Sequence, residues 1–196
     1  PDYGLIYVNT DGRRFVNELL GRDAVSDAQV KAGSKPTYSI LTEAIFRKLG
    51  RTDEELRRGV SSGRLFLGKT LRELAQTLGI SADALADTVA RHNEAVKTGV
   101  DHDYGEPITS RMMPLNAGPF YAVAQWPSVH YTMGGLRIDT STRVLDKQSR
   151  PIPGLYAAGE VCGGIHGKNR LGGNAIAECV VFGRIAGQNV LKGLDA

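Results

Sequence analysis

The chain of 196 residues has a formal net charge of +3, with 41% hydrophobic and 23% charged residues. That length suits one domain or two small ones with a buried core, and that composition excludes a disordered chain. No apolar run approaches the roughly 20 residues that a membrane-crossing helix needs, and a small net charge without Lys/Arg clusters among aromatics gives no reason to expect nucleic acid.

Cys162 and Cys179 are too few for a disulfide scaffold and are read as buried thiols. The sequence opens on Pro-Asp-Tyr-Gly without an initiator Met. It is therefore expected to be a fragment or processed product, with any targeting segment upstream.

In chain order, Gly4 to Asn9 reads as a short buried strand closed by a turn at Thr10-Asp11-Gly12, and Arg13 to Glu18 returns from it. Arg22-Asp23 leads into a helix over roughly 23–33. By itself Arg22 reads as a surface arginine at a helix start. Tyr38 to Leu41 is a strand, and Thr42 caps a short helix reaching Leu49. Thr52-Asp53-Glu54-Glu55 opens another helix, with acids where the helix dipole favours them. Gly59, Ser61, Ser62 and Gly63 mark a loop before Phe66. Thr70 and Glu73 have capping spacing for a helix ended by Gly79. Ser81 caps a longer helix to Val96, with Gly99 beyond it and His92 read as a partly exposed helix residue. Asp101-His102-Asp103 lacks the ligand series of a calcium loop and reads as a polar turn.

Pro107 to Pro119 is loop, followed by a strand at Phe120 to Ala124 that Trp126-Pro127 interrupts. Gly135 to Asp139 and Arg143 to Leu145 read as strands, Asp146 to Ser149 as a turn, and Leu155 to Ala158 as a short strand. That strand feeds a glycine-dense loop and then an apolar helix from Asn174. Half of the chain is thus mostly helical and half is strand–loop–helix.

His130 to Gly187 carries the chemistry. Glycines there let backbone amides approach a ligand, and a helix opening on Gly172-Gly173-Asn174 offers its N-terminus to an anion or carbonyl. Arg170 stands at the mouth of that loop. Walker A is excluded, since Cys162 and Asn169 occupy its required glycine and Ser/Thr places. No GxGxxG follows the first strand, and no nucleophile elbow is present. Gly183 and Gly187 form a GxxxG expected to pack closely against a sheet or cofactor. His166 is either a ligand or loop filler.

Three segments carry a resemblance: His130 to Gly135 (HYTMGG), Ile152 to Glu160 (IPGLYAAGE) and Gly167 to Ala175 (GKNRLGGNA). They resemble the C-terminal signature of fumarate reductase flavoproteins of the soluble flavocytochrome c type, a group that includes urocanate, acrylate and cinnamate-type reductases. Val8-Asn9, Gly12 to Glu18 and Arg22-Asp23 are similar to that family's mobile capping domain. The resemblance implies an α/β chain. Residues 1–129 would form an α+β, mostly helical capping domain, and residues 130–196 the C-terminal strand–loop–helix segment of a glutathione-reductase-like FAD-binding domain.

In such enzymes a flavin N5 hydride attacks one carbon of an activated alkene and a proton reaches the other. The resemblance makes FAD the cofactor, Arg22 the proton donor, and Arg170 and His130 ligands of the substrate carboxylate, with Gly173 adding backbone amides. Bidentate guanidinium suits a carboxylate. An arginine acid is unusual, but a carbanion-like carbon is a strong base. Glu160, Ala175 and Ile176 match positions that touch the flavin, Glu160 through a cofactor hydroxyl. Tyr131 stands where relatives often have a second histidine.

The dinucleotide-binding βαβ half and the Thr-Glu…Arg proton relay are absent. The implied partners are therefore a small fumarate-like anion, the missing N-terminal FAD domain and an electron donor. The chain alone is expected to be inactive, and a non-catalytic capping or binding fragment is the alternative. A ketosteroid dehydrogenase of the same superfamily would want an apolar pocket and a tyrosine acid in place of Arg170 with His130.

Overall fold

A computed structural model describes residues 2–33 and 35–194. Two units emerge from it, Pro1–Pro127 and Ser128–Ala196. The first is built on an antiparallel sheet of β1 (Ile6–Val8), β2 (Thr37–Thr42), β3 (Phe66–Gly68) and β4 (Phe120–Gln125), in the order β1-β2-β4-β3. Ile6 faces Ile40, and Ile40 in turn faces Ala122. Every residue of β2 is buried, so the central strand is covered on both faces. The helices are α1 (Arg22–Lys31), α2 (Glu43–Lys48), α3 (Asp53–Ser61), α4 (Leu71–Leu78) and α5 (Ala82–Thr98). Ile45 from α2, Leu74 from α4, and Leu85 and Val89 from α5 join Ile6, Val8 and Ile40 in one apolar core.

Helix boundaries follow local chemistry. Thr52 and Glu55 form a complete capping box, which satisfies two otherwise orphaned amides. Thr70 accepts from the Glu73 amide, but the Glu73 carboxylate reaches back to the Lys69 amide at 2.9 Å, one residue beyond the cap. Gly79 and Gly99 end α4 and α5 in the left-handed conformation.

Several expectations change. Gly59 lies inside α3 and packs on the Leu65 side chain; the helix needs a small residue where that leucine crosses. Phe66–Gly68 pairs with β4 as a strand. Arg13 to Glu18 makes only the single bridge Val8–Arg14. The first helix stops at Lys31, and the Ser81-capped helix runs on to Thr98. His92 is 1% exposed, because α5 turns that face into the core rather than to water.

The second unit holds β5 (Arg143–Leu145) antiparallel to β6 (Pro151–Tyr156), and α6 (Asn174–Leu194). Gly135 to Asp139 forms only isolated bridges, Leu136 with Cys162 and Ile138 with Val144. β6 starts at Pro151 and includes Pro153, which a two-stranded ribbon tolerates because it has open edges. Cys162 is buried, whereas Cys179 is exposed on α6. Gly183 and Gly187 face open space, so among the described residues nothing uses the close approach that their GxxxG permits.

Candidate functional site

Backbone contacts bring the glycine-rich segments of the second unit together. The Leu136 amide donates to the Val161 carbonyl at 2.8 Å, and the Gly163 amide donates to the Leu136 carbonyl at 3.0 Å. Gly135 and Gly163 sit where these segments cross. A Cβ on Gly135 would lie 2.3 Å from the Val161 oxygen, and one on Gly163 would lie 2.4 Å from the Gly135 nitrogen. Both positions therefore demand glycine for space.

This crossing fixes the HYTMGG segment beside the end of β6. Glu160 adds a side-chain tie, its Oε1 accepting from the Thr132 amide at 2.8 Å. Its exposed carboxylate thus already holds the protein backbone, a contact that motif comparison does not foretell.

Tyr131 is the centre of the polar cluster. Its hydroxyl donates to Glu178 Oε2 at 2.9 Å. The Arg170 guanidinium lies over its ring, 4.8 Å from the centroid, and the His166 ring meets it at 76° with centroids 5.3 Å apart. Burial, then the bond to Glu178 and that residue's negative charge, push the phenol up to about 12.

Arg170 Nη1 donates to the Leu171 carbonyl at 3.0 Å. Arg170 Nε, His166 Nε2 and Glu178 Oε1 are buried atoms with no hydrogen-bond partner among the described residues. Buried polar atoms normally find partners, so this cluster has unused hydrogen-bonding capacity, a donor at Arg170 and an acceptor at Glu178, beside a loop of bare backbone. Gly173 has a φ of +88°, and a Cβ at that position would meet nothing within 4 Å; only glycine adopts such a backbone conformation at low cost. Ala175 is half-buried and Ile176 is exposed in the first turn of α6; His130 is exposed as well.

Arg22 belongs to the first unit. It is exposed, and it is the first residue of α1, behind a Gly21 that gives no side-chain cap. A cation at a helix N-terminus opposes the helix dipole at a cost of about 0.3–1 kcal/mol. Departures of this kind from local rules concentrate at functional sites.

The first unit also holds a buried ionic cluster that motif reading missed. Arg14 grips Glu18 through Nε at 3.1 Å and Nη2 at 2.6 Å, and also pairs with Asp101 and Glu106, each at 3.2 Å. The Tyr7 amide donates to Glu18 at 2.8 Å. Asp101, read as part of a polar turn, is therefore a buried anchor; the turn itself is present. Burial, and then the charge of Glu18, raise Glu106 to about 7. Burial, and then the charge of Arg14, lower His92 to about 4. The visible clue was Arg14 and Glu18 at a spacing of four, but outside a helix that spacing does not reveal a contact.

Comparison with known proteins extends these observations. The FAD binding domain family matches residues 1–176. A fumarate reductase (cytochrome) of Shewanella frigidimarina is 43% identical over 189 residues, covering 96% of this chain and 32% of that protein. An NADH:acrylate oxidoreductase of Vibrio harveyi is 42% identical, covering 96% of this chain and 19% of that protein. The open conformation of a flavocytochrome c3 fumarate reductase superposes with a TM-score of 0.75 at 42% identity, over 97% of this chain and 33% of that one. The chain thus spans about a third or less of the length of these relatives.

Proposed function

The chain belongs to the FAD binding domain family and, within it, to the fumarate reductase flavoproteins, and from that premise we propose that it carries the substrate-holding and proton-donating residues of an FAD-dependent reductase of small α,β-unsaturated carboxylates, fumarate first. The observation that carries this reading is Arg170, a guanidinium stacked on Tyr131 whose buried Nε has no partner among the described residues. A guanidinium edge matches a carboxylate in two parallel hydrogen bonds. Arg170 holds the substrate carboxylate, His130 donates a further hydrogen bond to it, and the Gly173 amide adds a dipole at the start of α6. Arg22 delivers a proton to the alkene carbon that becomes carbanion-like, and is re-protonated afterwards.

The residues fit FAD. Bare backbone at Gly173, the α6 N-terminus and the orphaned Arg170 Nε next to Tyr131 make a donor set for a carbonyl-bearing ring. Tyr131, Glu160, Ala175 and Ile176 are the residues assigned to hold it. When bound, FAD supplies the hydride. We assign residues 1–129 as the capping domain and 130–196 as the C-terminal segment of the FAD-binding domain. The remaining FAD-domain residues and an electron donor are the partners this reading requires for sustained turnover, and a chain that cannot retain flavin without them is a non-catalytic binding fragment.

The test is a visible absorption spectrum of the purified chain after excess FAD is added and unbound cofactor removed, followed by fumarate-dependent reoxidation of the reduced flavin. Retained flavin that fumarate reoxidises supports the reading. Retained flavin indifferent to every unsaturated carboxylate tried overturns it, and a colourless protein leaves the binding fragment. In flavin-loaded protein, Arg170→Lys should weaken carboxylate binding at least tenfold, because lysine cannot form the bidentate pair; unchanged binding would remove Arg170 from the clamp.

A further inference from the structure

Among the described residues of the second unit Glu178 is the most deeply buried charged side chain, 5% exposed in the second turn of α6. A carboxylate removed from water needs hydrogen bonds to be tolerated. Here the Tyr131 hydroxyl supplies one at 2.9 Å and the Cys179 thiol a weak one at 3.7 Å. The residue is therefore placed for a reason other than its own stability.

Its one strong partner is the ring beneath Arg170, whose guanidinium lies 4.8 Å from the centroid. Two effects follow. The hydrogen bond fixes the plane of the tyrosine ring, because a phenol tethered at its oxygen cannot swing about its side-chain torsions. A carboxylate accepting from the hydroxyl also pushes electron density into the ring, which strengthens the attraction of its face for a cation.

We infer that Glu178 is a positioning residue for Arg170, acting through Tyr131, so that the guanidinium is held in one orientation before any carboxylate arrives. This rests on the proposed role of Arg170 as carboxylate ligand. The pairing itself concerns only the geometry of three side chains. The raised ionisation of Tyr131 agrees with a negative charge held at its oxygen.

The experiment reads the arginine directly. In the full 196-residue chain, the side-chain Nε–Hε signal of Arg170, identified by its disappearance in Arg170→Lys, should be displaced upfield by the ring current of Tyr131. Tyr131→Phe keeps the ring but removes the bond to Glu178, and Glu178→Gln removes the charge. In folded Tyr131→Phe, as judged by the amide signals of α6, the upfield displacement should be lost, and in folded Glu178→Gln, whose amide oxygen still accepts from the hydroxyl, it should shrink. An Arg170 signal unchanged in either folded variant overturns the inference, and if Glu178→Gln does not fold, Tyr131→Phe decides it.

A second reading comes from flavin-loaded protein. There, Glu178→Gln should raise KM for fumarate about tenfold while kcat changes far less, the loss expected when a guanidinium loses its fixed face. If fumarate is no substrate of the unaltered protein but the arginine displacement is present and changes as described, the proposed reaction falls and the positioning role stands.

Discussion

At the residue scale, the first unit turns on two groups held in opposite directions from their ordinary values. His92, lowered from 6.5 to about 4, is neutral when buried. Its stabilisation is complete above pH 6.5 and is lost as pH falls through 4. Glu106, raised from 4.5 to about 7, holds its proton more tightly when buried and gives it up only as pH approaches 7. Its stabilisation is complete below pH 4.5 and is lost as pH rises through 7.

The two windows overlap between pH 4.5 and 6.5, where one contribution grows as the other fades. Urea melts at these two pH values should therefore separate the variants. Relative to the unaltered protein, Glu106→Gln should gain stability with rising pH and His92→Phe should lose it, each by about 1 kcal/mol per pH unit. Parallel pH curves for both variants and the parent would dismiss the account. Neither residue was legible as a titrating group. His92 looked like one more polar position on an amphipathic helix, and Glu106 sits in irregular chain, where no periodicity points to burial.

At the scale of elements, caps and turns were legible and crossings were not. Thr42, Thr52, Thr70 and Ser81 all accept from the amide three residues on, since capping depends on a few adjacent residues. The two glycines of the Met-Gly-Gly sequence look identical by sequence, yet the fold treats them differently. A Cβ on Gly135 collides with backbone of the 161–163 segment, whereas one on Gly134 meets nothing within 4 Å. Gly135→Ala should therefore lower stability by about 1–3 kcal/mol, the usual cost of forcing extra volume into a packed contact. Gly134→Ala should melt within a few tenths of a kcal/mol of the parent. Equal melting curves for the two would show that the crossing yields freely.

At the scale of the whole molecule, one surface of the second unit has no cover among the described residues. Ile176, Val180 and Leu191 are 74%, 66% and 65% exposed along α6, and with Gly183 and Gly187 they follow the spacing of a single helical face. An exposed apolar stripe of this kind marks an interaction surface or an aggregation hazard. The chain should bind a solvatochromic apolar dye strongly, and the double substitution Val180→Lys, Leu191→Lys should remove most of that fluorescence without unfolding the first unit. Undiminished dye binding would place the sticky surface elsewhere. The GxxxG spacing led to the expectation of close packing, and among the described residues nothing packs there; what would cover the face lies outside any local pattern.

The sequence by itself determined the presence of the helices, their caps, the strand at Tyr38 to Leu41 and the family, because these rest on spacing over a few residues and on motifs read contiguously. It also singled out Arg170 through its place in the glycine loop, and Arg22, His130 and Glu160 through resemblance alone. Only the tertiary structure decided that Arg14 joins the nearby Glu18 to the distant Asp101 and Glu106, that His92 is buried, and that Tyr131 joins Glu178 to Arg170. All but the Arg14–Glu18 pair depend on groups far apart along the chain. Their energy comes from burial, charge and hydrogen-bond geometry that exist only once the backbone has brought the partners within about 3 to 5 Å.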